Sequence, residues 1–182
     1  MQISEIYIHK QQYNEAIACF KRAIEAAPGL LEAYLALANT YQLTGDLEKA
    51  RDNYQKVISL NPDSGPGHFQ LGLIEKASGN YDRTMACFDE VARIIPGSVD
   101  AEAAKADVYQ EQGKHDQSYE IVRSLLDRGI QNVTAGLVFA KLCKQQGNCD
   151  EAIRYLEDLG FQPNLTDKQR DDIQAAINIL KA

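Results

Sequence analysis

Apolar and polar positions follow one another along this chain with the spacing of helices. Tyr34, Leu37, Ala38 and Tyr41 fall at i, i+3, i+4 and i+7, one stripe of an α-helix. Thr44-Gly45-Asp46 then interrupts the stripe. Glycine adopts the left-handed backbone that ends a helix, and aspartate caps the next one through its carboxylate. From Leu47 the stripe resumes with Ala50, Tyr54, Val57 and Ile58, and Pro62 closes it because proline cannot continue a helix. Residues 31–64 are therefore expected to form a helix, a tight turn and a second, antiparallel helix.

The same frame returns every 34 residues. Gly45, Gly79, Gly113 and Gly147 mark the turn, and Ala38, Gly72, Ala106 and Ala140 keep one place on the first helix small. On the second helix Ala16, Ala50, Thr84, Ser118 and Ala152 repeat the small place, while Phe20, Tyr54, Phe88, Val122 and Leu156 repeat a bulky one. Small side chains let neighbouring helices come close, and bulky ones fill the contact that results. One hairpin cannot bury both of its stripes, so each unit needs neighbours and the units stack.

In length, in the stripe of "YLALANTY", in the "EA" of "YNEAIACF" and "CDEAIRYL", in the turn glycine and in the closing proline, the chain resembles the tetratricopeptide repeat (TPR) family. That resemblance implies an all-α fold, a right-handed α-solenoid of about five helix-turn-helix repeats plus a C-terminal helix. The expected repeats cover about 1–30, 31–64, 65–98, 99–132 and 133–165, followed at about 167–181 by a helix that Thr166 starts, a cap or the first half of a sixth repeat, in one solenoid over 1–182. Departures stand out. His68 occupies an aromatic place, and Glu75 stands where tyrosine is usual. Glu102 and Lys105 fall at apolar places, and Ile130 replaces the closing proline, so "LLDRGIQN" is expected to turn differently.

Composition adds exclusions. The net charge of −7 gives no electrostatic footprint for a phosphate backbone or an anionic membrane surface. No apolar run approaches the roughly 18–20 residues that a membrane span needs, and no secretory leader is visible, so a cytoplasmic protein is expected. Met1 falls four residues inside the expected start of the first repeat, which points to a piece of a longer chain. Cys19, Cys87, Cys143 and Cys149 form no CxxC pair; reduced thiols are the plainer reading, beside a redox pair of Cys143 with Cys149. His9, His68 and His115 occupy three different repeat places, and no metal-ligand spacing or phosphate loop occurs, so neither catalysis, cofactor nor metal is expected.

In the TPR family the first helix of each repeat lines a concave groove. Transferred residue by residue, that implies a peptide groove of Leu35, Asn39 and Gln42, then Phe69, Gln70, Leu73 and Lys76. It continues with Asp107 and Glu111, flanked by Ala103, and with Leu137, Lys141 and Lys144, flanked by Val138. Amides interleaved with apolar side chains suit an extended or helical peptide. Chaperone-tail binders in the family grip a carboxylate with cations. The corresponding places here carry Met1, Glu5, Ala36, Pro66 and Gln70, or one repeat along Leu35, Asn39, Gln70, Asp100 and Ala104, so that specialisation is not expected. The implied function is a non-enzymatic scaffold for a protein or peptide partner, with a homodimer through the terminal repeats as a further association. The alternative is the TPR portion of a larger enzyme or regulator, since repeats four and five are similar to arrays found ahead of bacterial sulfotransferase domains.

Overall fold

The computed structural model describes residues 12–146 and 149–182, the side chains of 145 and 146 excepted. Every regular element among them is an α-helix: α1 (Tyr13–Ala26), α2 (Leu31–Leu43), α3 (Leu47–Leu60), α4 (Gly65–Ala77), α5 (Tyr81–Ile94), α6 (Val99–Glu111), α7 (His115–Asp127), α8 (Val133–Gln146), α9 (Asp150–Gly160) and α10 (Asp167–Lys181). The helices fall into two compact units, Met1–Ile95 and Pro96–Ala182. Each unit is a set of antiparallel hairpins in which neighbouring helices pack on one another.

Local chemistry accounts for the helix ends. Gly45, Gly79 and Gly113 have φ of 80°, 74° and 72°, the left-handed turn that the sequence pattern required. Gly147, the fourth member of that series, lies outside the described residues. Asp46 accepts the Lys49 N–H at 3.2 Å, and Ser64 accepts that of Gly67 at 3.2 Å. At α10 the cap is reciprocal: Thr166 Oγ1 accepts from Gln169 N–H at 3.2 Å, and Gln169 Oε1 accepts from Thr166 N–H at 2.9 Å.

The periodic small and large positions form the cores. Ala38, Gly72, Ala106 and Ala140 are buried, as are Ala16, Ala50, Thr84, Ser118 and Ala152. Phe20, Tyr54, Phe88, Val122 and Leu156 are buried beside them. The two hydroxyls in the series are satisfied, since Ser118 Oγ donates to Ala106 O at 2.7 Å and Thr84 Oγ1 to Asn80 O at 3.0 Å. At Gly72 the helices meet so closely that an added Cβ would lie 2.7 Å from Phe88 Cε1 and 3.1 Å from Cys87 Cβ. Gly72→Ala is therefore expected to destabilise the first unit by about 1–3 kcal/mol, although alanine is the better helix former. Urea unfolding followed by circular dichroism checks this, and an unchanged midpoint would contradict the close approach.

The irregular places have their own solutions. Glu75, the departure from tyrosine, is buried and held from two sides: Arg51 Nε donates to Oε1 at 2.9 Å and Asn80 Nδ2 to Oε2 at 2.7 Å. His68 keeps a ring in the aromatic place and donates from Nε2 to Pro62 O at 2.9 Å. Glu102 pairs with Arg128 at 2.7 Å. Where proline is missing, Gly129 takes φ of 68° and Asn132 caps α8, accepting the Ala135 N–H at 3.1 Å. Tyr155 ties this turn down, with its hydroxyl donating to Ile130 O at 2.9 Å and accepting the Asn132 N–H at 3.0 Å. "LLDRGIQN" does turn differently, and a glycine, an asparagine and a distant tyrosine replace one proline.

Candidate peptide-binding faces

In the first unit the candidate face runs along α2 and α4. Leu35 is half-buried against the cluster of Leu37, Tyr41 and Tyr54. Asn39 is exposed and Gln42 half-buried, and their amide oxygens share the one proton of the Tyr54 hydroxyl, at 2.5 Å and 2.9 Å. Burial pushes the Tyr54 phenol up to about 12, so it stays a donor at neutral pH. The two amides are thereby held by a core side chain at the edge of the face. On α4, Gln70 and Leu73 are half-buried, and Lys76 is half-buried with an interaction of its own. Phe69 is half-buried too, but its ring packs on Phe88 with centroids 5.5 Å apart, so part of it belongs to the core.

In the second unit the face runs along α6, α8 and α10. Asp107 is half-buried and accepts from Lys141 Nζ at 3.1 Å, while Glu111 is exposed and engaged by a neighbour. Leu137 is half-buried at the edge of the Ala140, Leu156 and Ile173 cluster. Lys141 and Lys144 are exposed. Together with α10, Leu137, Lys141 and Lys144 border a groove of about 410 Å³, which Asp107 and Glu111 do not line. Ala103 and Val138, read from the sequence as part of the face, are instead buried at 0% and 1% exposure. The helix period assigns a residue to a face only to within one position, and here packing claims the boundary residues.

The groove joins Leu137, Lys141 and Lys144 of α8 to Asp172, Ala176 and Ile179 of α10. The sequence left α10 as a cap or as the first half of a sixth repeat, and assigned it no contact with a ligand. Its start, 34 residues after that of α8, agrees with the second of those readings.

Other chemistry is sparse. Among the described residues no group of three or more His, Cys, Asp and Glu is placed to hold a metal. All four cysteines are free, and Cys143 and Cys149 share one apolar cluster without a bond between them. Burial, and then the neighbouring Glu75, push the Cys87 thiol up to about 11. Burial, followed by Cys149 and Glu151, does the same to Cys143. A thiol so shifted is scarcely ionised at neutral pH and is a poor nucleophile. His115 lies with Nδ1 at 2.9 Å from Gln110 Oε1, a polar helix-start contact. No described helix is long and apolar enough to cross a membrane.

Hairpins in 34-residue register, each burying a small–large stripe, define an all-α helical-repeat protein. The family pattern described as "Tetratricopeptide repeat" matches residues 1–63, and that of "Anaphase-promoting complex, cyclosome, subunit 3" matches residues 77–159. The chain thus carries tetratricopeptide repeats, matched by that family's pattern over residues 1–63. It is similar to human protein O-mannosyl-transferase TMTC1, with 23% identity over 100 residues, which are 53% of this chain and 11% of that protein. In fold it is similar to a thermophilic TPR protein of Thermus thermophilus, at TM-score 0.74 and 18% identity, covering 98% of this chain and 97% of that one. YrrB, described as a TPR protein with an unusual peptide-binding site, aligns at TM-score 0.67 and 13% identity, covering 100% of this chain and 90% of that one. The chain spans roughly a tenth of the length of the curated relatives it matches.

Proposed function

We propose that this chain is a non-enzymatic interaction scaffold that takes a peptide or protein segment on its first-helix faces. One observation carries the reading. Leu137, Lys141 and Lys144, assigned to a peptide groove on the family's pattern, border an open and largely apolar groove. Half-exposed Leu35 and Leu73 beside the amides Asn39, Gln42 and Gln70 support the same role for the first unit. Apolar side chains on a solvated face cost free energy unless something covers them, and interleaved amides meet a partner's backbone.

Leu73→Glu and Leu137→Glu test it, since both side chains are half-exposed and a carboxylate there can reach water. Each is expected to leave helicity unchanged and to lower capture of the partners that the parent chain retains in a pull-down. If both variants retain every partner at parental levels, the first-helix faces are not the binding surface.

A second reading is favoured by the relatives. In each of them the matched stretch is a small part, 11% and 7% in two cases. On this reading the repeats are the recognition portion of a longer protein, and they recruit substrates or partners to activity held elsewhere.

A further inference from the structure

We infer that the groove between α8 and α10 takes an amphipathic segment whose apolar stripe is bordered by carboxylates on the side that meets α8. This rests on the scaffold reading and names the partner's chemistry at one of its sites.

The groove is apolar along its floor. Leu137 and Ala140 come from α8, Ala176 and Leu180 from α10, and Ile179 stands 53% exposed at the edge. A free aliphatic side chain of that size beside a cavity of about 410 Å³ favours cover by another apolar surface. The cavity lies within the roughly 300–1,000 Å³ range of ligand sites, room for a few side chains. Ala175 and Ala176 keep the α10 wall low, so bulky residues can enter from that side.

The two lips differ in charge. On α8, Lys141 and Lys144 stand side by side in a chain whose net charge is −7. Lys141 already donates to Asp107, whereas Lys144 has no ion pair among the described residues. On α10 the charge at the groove is Asp172. An acidic edge on the ligand would therefore meet the lysines, and a donor or a cation on its opposite edge would meet Asp172. A segment with those edges reversed would set like charges against both lips. The apolar stripe supplies affinity, and the unequal lips select which way round the segment lies.

The test uses the full chain and a phage-displayed library of random twelve-residue peptides. Selected peptides are then synthesised and mapped by amide chemical-shift changes. The expected result is a set rich in Leu, Ile or Phe with Asp or Glu on one flank, shifting residues in α8 and α10. Lys144→Glu should weaken such a peptide about tenfold or more, and the control Lys56→Glu, an exposed lysine on α3 outside both faces, should leave it unchanged. Peptides without acidic residues, or equal affinity for Lys144→Glu, overturn the inference. So does a concentration-dependent mass with shifts in α8 and α10 and no peptide added, which would make a second copy the occupant. If peptides are selected but shift only α2 and α4, this inference falls and the scaffold reading stands. If neither unit selects a peptide, both fall.

Discussion

Replacing Tyr54 by alanine is expected to destabilise the first unit by about 3–5 kcal/mol, the range for deleting a fully buried aromatic side chain. Tyr54 has no solvent exposure and packs among Phe20, Leu37, Ala50 and Ile74, so its loss leaves a hole bordered by three helices besides its own. The residues around that hole cannot collapse into it without breaking the small–large register. Tyr54→Phe separates packing from hydrogen bonding. It keeps the ring and removes the donor to Asn39 and Gln42, and should cost only about 0.5–1.5 kcal/mol because both amides can turn to water. Urea titrations of both variants, read by far-ultraviolet circular dichroism, give the comparison. An alanine variant losing less than about 1.5 kcal/mol would show that the site is not close-packed. Repeat arrays are held by nearest-neighbour terms, so protection from hydrogen exchange should fall in α1 to α4 before α8 to α10.

The second large effect concerns Arg51 and Glu75. The Glu75 side chain is 3% exposed and that of Arg51 24%, with 2.9 Å between Nε and Oε1. Removing the guanidinium alone, as in Arg51→Met, leaves a carboxylate out of water with only Asn80 to hold it. Breaking a buried pair from one side costs about 3–5 kcal/mol, and the partial exposure of Arg51 puts this case near the lower end. Replacing both partners is a different matter. Arg51→Met with Glu75→Leu should return to within about 1 kcal/mol of the parent, because no charge then remains to be solvated. The coupling, measured as a double-mutant cycle from thermal and urea unfolding, should exceed about 1 kcal/mol. Additive effects of the two changes would mean that the pair does not act as a unit.

Most of the hairpin architecture could be read from side-chain size alone. Gly45, Gly79 and Gly113 each need the left-handed backbone, and the alternation of alanine with tyrosine or phenylalanine states how near the helices come. The partner of Glu75 could also have been found. Arg51 stands where Ile17, Met85, Tyr119 and Ile153 stand in the other repeats, and Glu75 where Tyr41 and Tyr109 stand. Two charges at apolar places on adjacent helices were the available signal. Less legible were contacts that depend on distance through space. Tyr155 reaches back to the turn at Ile130, and Phe69 turns its ring onto Phe88, so neither is settled by periodicity. The candidate faces were read with the same period, which is why Leu137, Lys141 and Lys144 came out together while Ala103 and Val138 proved to be interior.

The thiols of Cys87 and Cys143 lie in different units, and only the second is sealed: Cys143 is buried, whereas Cys87 is half-buried at a groove shared with His68 and Glu90. Cys143 is thus an internal clock and Cys87 its reference. Under native conditions an alkylating reagent can reach Cys87 from the groove, and the slower labelling of Cys143 would report how often the second half breathes.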